Sequence, residues 1–141
     1  MMQLDQAQYI VQGALATAGE HGLQPLAVIV LDSGGHPIAF AREDGASLFR
    51  HDIARAKAMG ALGMGQDTRA LAEKAKVNPV FFHSVSVVVG GNIAFSPGGV
   101  LVRDSSGTIV GAVGISGDTG DSDETCALAG LVAAGFKGAA A

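Results

Sequence analysis

From Leu4 to His21 the apolar residues Ala7, Ile10, Val11, Ala14, Leu15 and Ala18 recur at intervals of three and four, and Gly22 follows them. That spacing buries one face of a helix, and a glycine just past the last turn supplies its left-handed stop. The pattern then changes. Leu26 to Leu31 and Pro37 to Arg42 are short aliphatic-rich runs separated by Asp32-Ser33-Gly34-Gly35-His36, which predicts an antiparallel hairpin. Helical spacing returns after Asp44-Gly45: Ser47 is placed to cap a helix over Leu48 to Met64, and Asp67-Thr68 opens a shorter one to about Ala75. Asn78-Pro79 breaks the pattern, and VNPVFFHS reads as loop. Three more strands are predicted in SVSVVV (84–89), GVLVRD (99–104) and TIVGAVGIS (108–116), with Gly90-Gly91-Asn92 and Asp104-Ser105-Ser106-Gly107 as the turns between them. A last helix starts near Asp121, where Asp121 and Glu124 are spaced as a capping pair, and carries Leu128, Leu131, Val132 and Phe136 along one face. The predicted order is α-β-β-α-α-β-β-β-α. Because the strands come in meanders and not in βαβ crossovers, this is an α+β fold, with helices packed on a five-stranded antiparallel sheet.

Composition narrows the class. A chain of 141 residues, 48% hydrophobic and 16% charged, has material for one core and too little length for two, so residues 1–141 are expected to form a single domain. Its 21 glycines are scattered without a triplet period, which excludes collagen and implies many tight backbone positions. A formal charge of −4 with no basic run argues against nucleic acid as a partner. One cysteine, Cys126, excludes an intrachain disulfide framework and a multi-cysteine zinc site, and fits a cytoplasmic protein. The N-terminus lacks the basic and apolar regions of a signal peptide, and no run approaches a membrane span. The tail GFKGAAA is expected to fray.

The segments AVIVLDSGGHPIAFAREDGA, HDIARAKA, SPGGVLVRD, TIVGAVGISG and DSDETCALAG, in that order, closely resemble the GlcG/HbpS family, also called the haem-degrading or domain-of-unknown-function 336 family. The resemblance covers nearly the whole chain. It implies a profilin-like three-layer domain assembled into homo-oligomers, and a relationship to the domain that ends the PduO-type cobalamin adenosyltransferases. Members look like haem-binding or haem-degrading proteins, while others accompany catabolic genes without an established reaction. The fold is therefore implied more firmly than the chemistry.

A haem would need an axial imidazole in apolar surroundings. Of four histidines, His21 at a helix end and His36 in a turn suit structural or solvent-exposed roles, which leaves His51 and His83 as candidate iron ligands. His51 lies in a first helical turn, where the helix dipole favours a neutral ring, and His83 follows Phe81-Phe82. No CxxCH occurs, so haem would be held without thioether bonds. Arg42 could clasp a propionate or another carboxylate, or form a surface ion pair. Lys57 falls on an apolar helix stripe and needs a partner, either a ligand carboxylate or an acidic neighbour. Gly98 and Gly99 in SPGGV, and Ser116-Gly117 before a helix start, could bring backbone amides to an anion, although Asp118, Asp121, Asp123 and Glu124 crowd that end and would repel one.

Glu124 shares a helix face with Leu128 and Leu131, so it is expected at the interior or at a pocket rim, where a carboxyl suits acid or base work. Two readings follow. The first is a small-molecule-binding protein that takes haem or a related tetrapyrrole and degrades it. The second is a cofactor-independent isomerase or lyase acting on a small organic acid or carbonyl compound, with Glu124 and His51 as the catalytic groups. A third, a structural oligomer without chemistry, rests on the Gly/Ala-rich faces.

Overall fold

The computed structural model describes residues 1–138; of the tail expected to fray, Ala139 to Ala141 lie outside the described residues. Five helices and four strands follow one another: α1 (Leu4–Glu20), β1 (Ala27–Asp32), β2 (Pro37–Arg42), α2 (Arg50–Met64), α3 (Thr68–Val77), α4 (Pro79–Val88), β3 (Gly99–Arg103), β4 (Ile109–Ser116) and α5 (Gly120–Ala133). The strands make one antiparallel sheet in the order β2-β1-β4-β3, with Ile29 opposite Phe40 on one side and Gly114 on the other. No helix of the described residues is long and apolar enough to cross a membrane.

The sheet has four strands among the described residues, not five. SVSVVV, read as a strand, supplies the second half of α4 and its C-cap, and VNPVFFHS, read as loop, runs from the end of α3 into its first half. Pro79 takes the first helical position, where its missing N–H costs nothing and its fixed φ is already helical. The hydroxyls of Ser84 and Ser86 donate to the carbonyls of Phe81 and His83. Valine's strand preference reflects its fit to a half-buried pleated surface, and here Phe82 is the one buried side chain of the segment. Gly90 and Gly91 are a turn as expected, but they close this helix: Gly91 N donates to Ser86 O at 2.9 Å. At α5 the cap is Thr119, whose hydroxyl accepts from Ser122 N, rather than an Asp121/Glu124 pair.

The sheet is covered on both faces. On one, α1 lies over β2 and β1 and α5 over β4 and β3, burying Ile10, Val28, Val30, Val102, Val113 and Ile115. On the other, α2 lies across β1, β4 and β3 and buries Ile29, Leu31 and Leu101 under Ala54, Ala58 and Ala61. Small residues let the layers approach. A Cβ at Gly114 would overlap the carbonyl oxygen of Ala54, so α2 rests directly on β4, and Gly130 of α5 is pressed in the same way against the Ile10 carbonyl of α1.

Candidate functional site

Lys57, on the sheet-facing side of α2, is 2% exposed. Its Nζ donates to the Ile115 carbonyl at 2.9 Å and to Asp123 Oδ2 at 3.1 Å, and Asp123 Oδ1 accepts from Asp118 N. The acidic neighbour is thus the partner, and the ammonium is held in the interior. Burial pulls the Lys57 pKa below its usual value and pushes that of Asp123 up, each opposed by the charge of the other. Gly98, at φ +126°, closes over this pair: a Cβ there would lie 2.8 Å from Lys57 Nζ and 2.8 Å from the Ile115 oxygen.

The Gly99 amide is occupied by a protein group. Gly99 N donates to Thr68 Oγ1 at 2.8 Å, and the Gly98 carbonyl accepts from Ile115 N. Ser116 is buried and accepts from Arg50 Nη1 at 3.1 Å, while Gly117 packs against the backbone of Pro25 and Leu26. Lys57, Gly98, Gly99 and Ser116 therefore do come together, but around a buried ion pair joining α2, β4 and the start of α5. Cys126 sits nearby as a buried thiol, its pKa pushed up to about 11 chiefly by burial.

Glu124 is at a rim. Its carboxylate accepts from Arg69 Nε at 2.9 and 3.0 Å, and Arg69 Nη2 reaches Asp121 as well. Arg69 and Glu124 border a pocket of about 790 Å³ between the start of α3, the β3–β4 turn and α5, with Arg103 and Lys137 also on its wall. Arg69 is a residue that sequence reasoning missed; two carboxylates one turn apart on α5 were the available sign that a cation would meet them.

The two histidine candidates stand in different surroundings. His83, exposed on α4, lines a smaller apolar groove of about 390 Å³ with Pro79, Phe82, Ile93 and Phe95. His51 is half-exposed at the start of α2, with its ring edge-on to Phe40, centroids 4.8 Å apart at 84°. Phe40 and Arg42 point to the same side of edge strand β2, the side that faces α2. Because α2 lies over β1, β4 and β3, it leaves this side of β2 as an open ledge, where Phe40 is exposed beside His51; Leu48 and Phe49, just before α2, are exposed as well. His51 Nδ1 is 3.7 Å from Asp52 Oδ1, and its Nε2 makes no hydrogen bond among the described residues. Sequence reasoning singled out His51 and Arg42 but not their aromatic companions, since Phe40 lies eleven residues before His51 and in another element.

Solved structures share this fold. The PduOC–haem complex superposes with a TM-score of 0.86 at 21% identity over 96% of each chain. HbpS gives 0.79 at 27% identity over 93% of this chain and 88% of its own. A Klebsiella pneumoniae protein, ORFY, gives 0.86 at 25% over 94% and 90%. No curated protein matches the chain. The family described as haem degrading protein HbpS-like matches residues 2–132, and with that match over nearly its whole length the chain belongs to the HbpS-like family.

Proposed function

We propose that this protein binds haem or a related tetrapyrrole on the ledge beside β2, with His51 as the iron ligand. The supporting observation is the His51–Phe40 contact: an imidazole with an uncommitted Nε2, set edge-on to an aromatic ring, with exposed Leu48 and Phe49 two and three residues before it in the chain. The donor set fits the group, since a neutral imidazole suits haem iron and an apolar surface suits the macrocycle. Arg42, exposed on the same side of β2, is placed to pair with a propionate. Bound haem would supply a redox-active iron, and oxidative degradation of the macrocycle would in addition draw dioxygen and electrons from outside the chain. The residues themselves bind and orient. Phe40 limits the tilt of the His51 ring, and Leu48 and Phe49 keep water from one face of a flat ligand.

Haemin titration followed by absorbance tests this reading. The parent should show a saturable Soret shift that His51→Ala abolishes and His83→Ala leaves intact, and Arg42→Ala should weaken binding by about tenfold, the loss of one charge-assisted contact. Loss in His83→Ala alone would move the ligand to the α4 groove. Binding unchanged in both histidine variants would remove the proposal.

The larger pocket favours one second reading, turnover of a small organic acid with Glu124 as acid or base and Arg69, Arg103 and Lys137 as its charged wall. On that reading Glu124→Gln lowers turnover by about a hundredfold or more without unfolding the chain. Turnover that persists would exclude it.

A further inference from the structure

The pocket of about 790 Å³ lies at β3, the edge strand on the opposite side of the sheet from β2 and the His51 ledge. The hydrogen bonds already made on its wall leave acceptors committed and donors open. All three carboxylates of the wall are engaged by the protein. Asp67 Oδ1 accepts from Leu101 N at 2.9 Å, Asp104 Oδ1 accepts from Ser106 N at 2.9 Å and Thr108 N at 3.0 Å, and Glu124 holds Arg69 through both oxygens. The Gln66 side-chain oxygen accepts from Lys74 Nζ at 2.7 Å, so its amide NH2 is the end left over. Arg103, by contrast, commits only Nη1, to Gly107 O at 3.1 Å, and Lys137 makes no hydrogen bond among the described residues. Committed acceptors beside uncommitted cationic donors favour a ligand whose polar groups are acceptors with negative charge.

Both open cations are held at the wall by the fold. The Gly107 bond ties the Arg103 guanidinium to the β3–β4 turn. After α5 the chain reverses at Gly135, φ +87°, where Phe136 N donates to Leu131 O at 2.9 Å and the Phe136 side chain packs on the core, which brings the adjoining Lys137 to the pocket. Apolar Ala70 and Val100 complete the lining, and the volume falls within the roughly 300–1,000 Å³ of small-molecule sites.

Resting on the second reading's choice of this pocket as a ligand site, we propose that it takes a small organic dicarboxylate, with one carboxylate on Arg103, the other on Lys137, and the carbon chain against Ala70 and Val100. The three cations of the wall are then not equivalent. Arg69 is already held by Glu124 and Asp121, whereas Arg103 and Lys137, from different elements, each have donors for one carboxylate. A monocarboxylate answers only one of the two. The guanidinium fork matches a carboxylate through two parallel N–H groups, so Arg103 is the stronger anchor.

Calorimetric titration of the full chain with succinate, glutarate and adipate, each beside the monocarboxylate of equal length (butyrate, pentanoate and hexanoate), decides the matter. At least one dicarboxylate should bind about tenfold more tightly than its matched monocarboxylate. With folding confirmed by circular dichroism, Arg103→Gln and Lys137→Gln should each erase that preference and weaken the dicarboxylate by about five- to tenfold. Lys76→Gln, which removes an exposed cation paired with Glu73 outside the pocket, should change neither. No dicarboxylate binding, equal affinities within every pair, a preference that survives both pocket variants, or an equal loss in Lys76→Gln would overturn the site. Binding is read without turnover, so the two ideas fail separately. A dicarboxylate preference with no reaction keeps this site and removes Glu124 as acid or base, whereas turnover of a monocarboxylate that Glu124→Gln abolishes, with no dicarboxylate preference, keeps the second reading and removes this one.

Discussion

Lys57 and Asp123 are taken out of water together, and the pairing is what makes the burial of either tolerable. Removing one partner leaves the other charged and dry, which costs about 3–5 kcal/mol. Lys57→Met should therefore lower the free energy of unfolding by that amount at neutral pH, measured by urea titration. In that variant the Asp123 carboxyl, already pushed upward by burial, loses the charge that held it down. Its folded pKa then lies well above the ordinary 3.8, so the missing stability returns below that value and is lost as pH rises through the folded value. A stability profile for Lys57→Met parallel to the parent's between pH 4 and 7 would contradict this account of the pair. The need was legible in the sequence, because Lys57 interrupts an apolar stripe; the partner, 66 residues away, was one of four neighbouring acids with nothing local to choose among them.

At the level of elements, the layers are set by where side chains are missing. Gly114 admits the Ala54 backbone of α2, and alanine there should cost about 3 kcal/mol, since relief requires the helix to lift off β4. Thermal melts check this, and a neutral Gly114→Ala would mean that α2 can shift freely on the sheet. Periodicity located α1, α2, α3 and α5 and the strands β1 to β4, because each carries its own signal: a 3.6-residue stripe, a short β-rich run or a turn sequence with glycine. It failed at α4. Ser-Val alternation imitates a strand, and a helix with one buried side chain has no strong stripe pointing inward to betray it. The valines that mislead are those that face outward, so the error and the exposed surface have one cause.

For the whole molecule, acid sensitivity comes from carboxylates that tie loops together. Backbone donation from His36 holds the Asp32 carboxyl below its usual value, the Ser106 hydroxyl does so for Asp104, and backbone donation from Gln24 does so for Asp118. Each group has a lower pKa folded than unfolded. Its contribution is therefore complete above the unfolded value of 3.8 and disappears as pH falls through the folded value. The melting temperature should hold down to about pH 4 and drop below it, and Asp118→Asn should flatten that drop, because its bond to Gln24 fastens the start of α5 to the segment before β1. An acid limb equally steep in Asp118→Asn would assign the sensitivity elsewhere.

Local order in the chain was enough for most of the elements and for the hairpin at Asp32 to His36, because helix stripes and turns are satisfied by residues within a few positions of one another, and it offered candidate polar groups without Arg69 among them. Which of those groups meet was decided only in three dimensions. Arg69 with Glu124 and Lys57 with Asp123 span 55 and 66 residues, and the ledge around His51 exists because α2 crosses three strands and stops short of the fourth. Such pairings follow from the packing of layers, which depends on shape and small residues across the whole sheet. No stretch of sequence contains that information by itself.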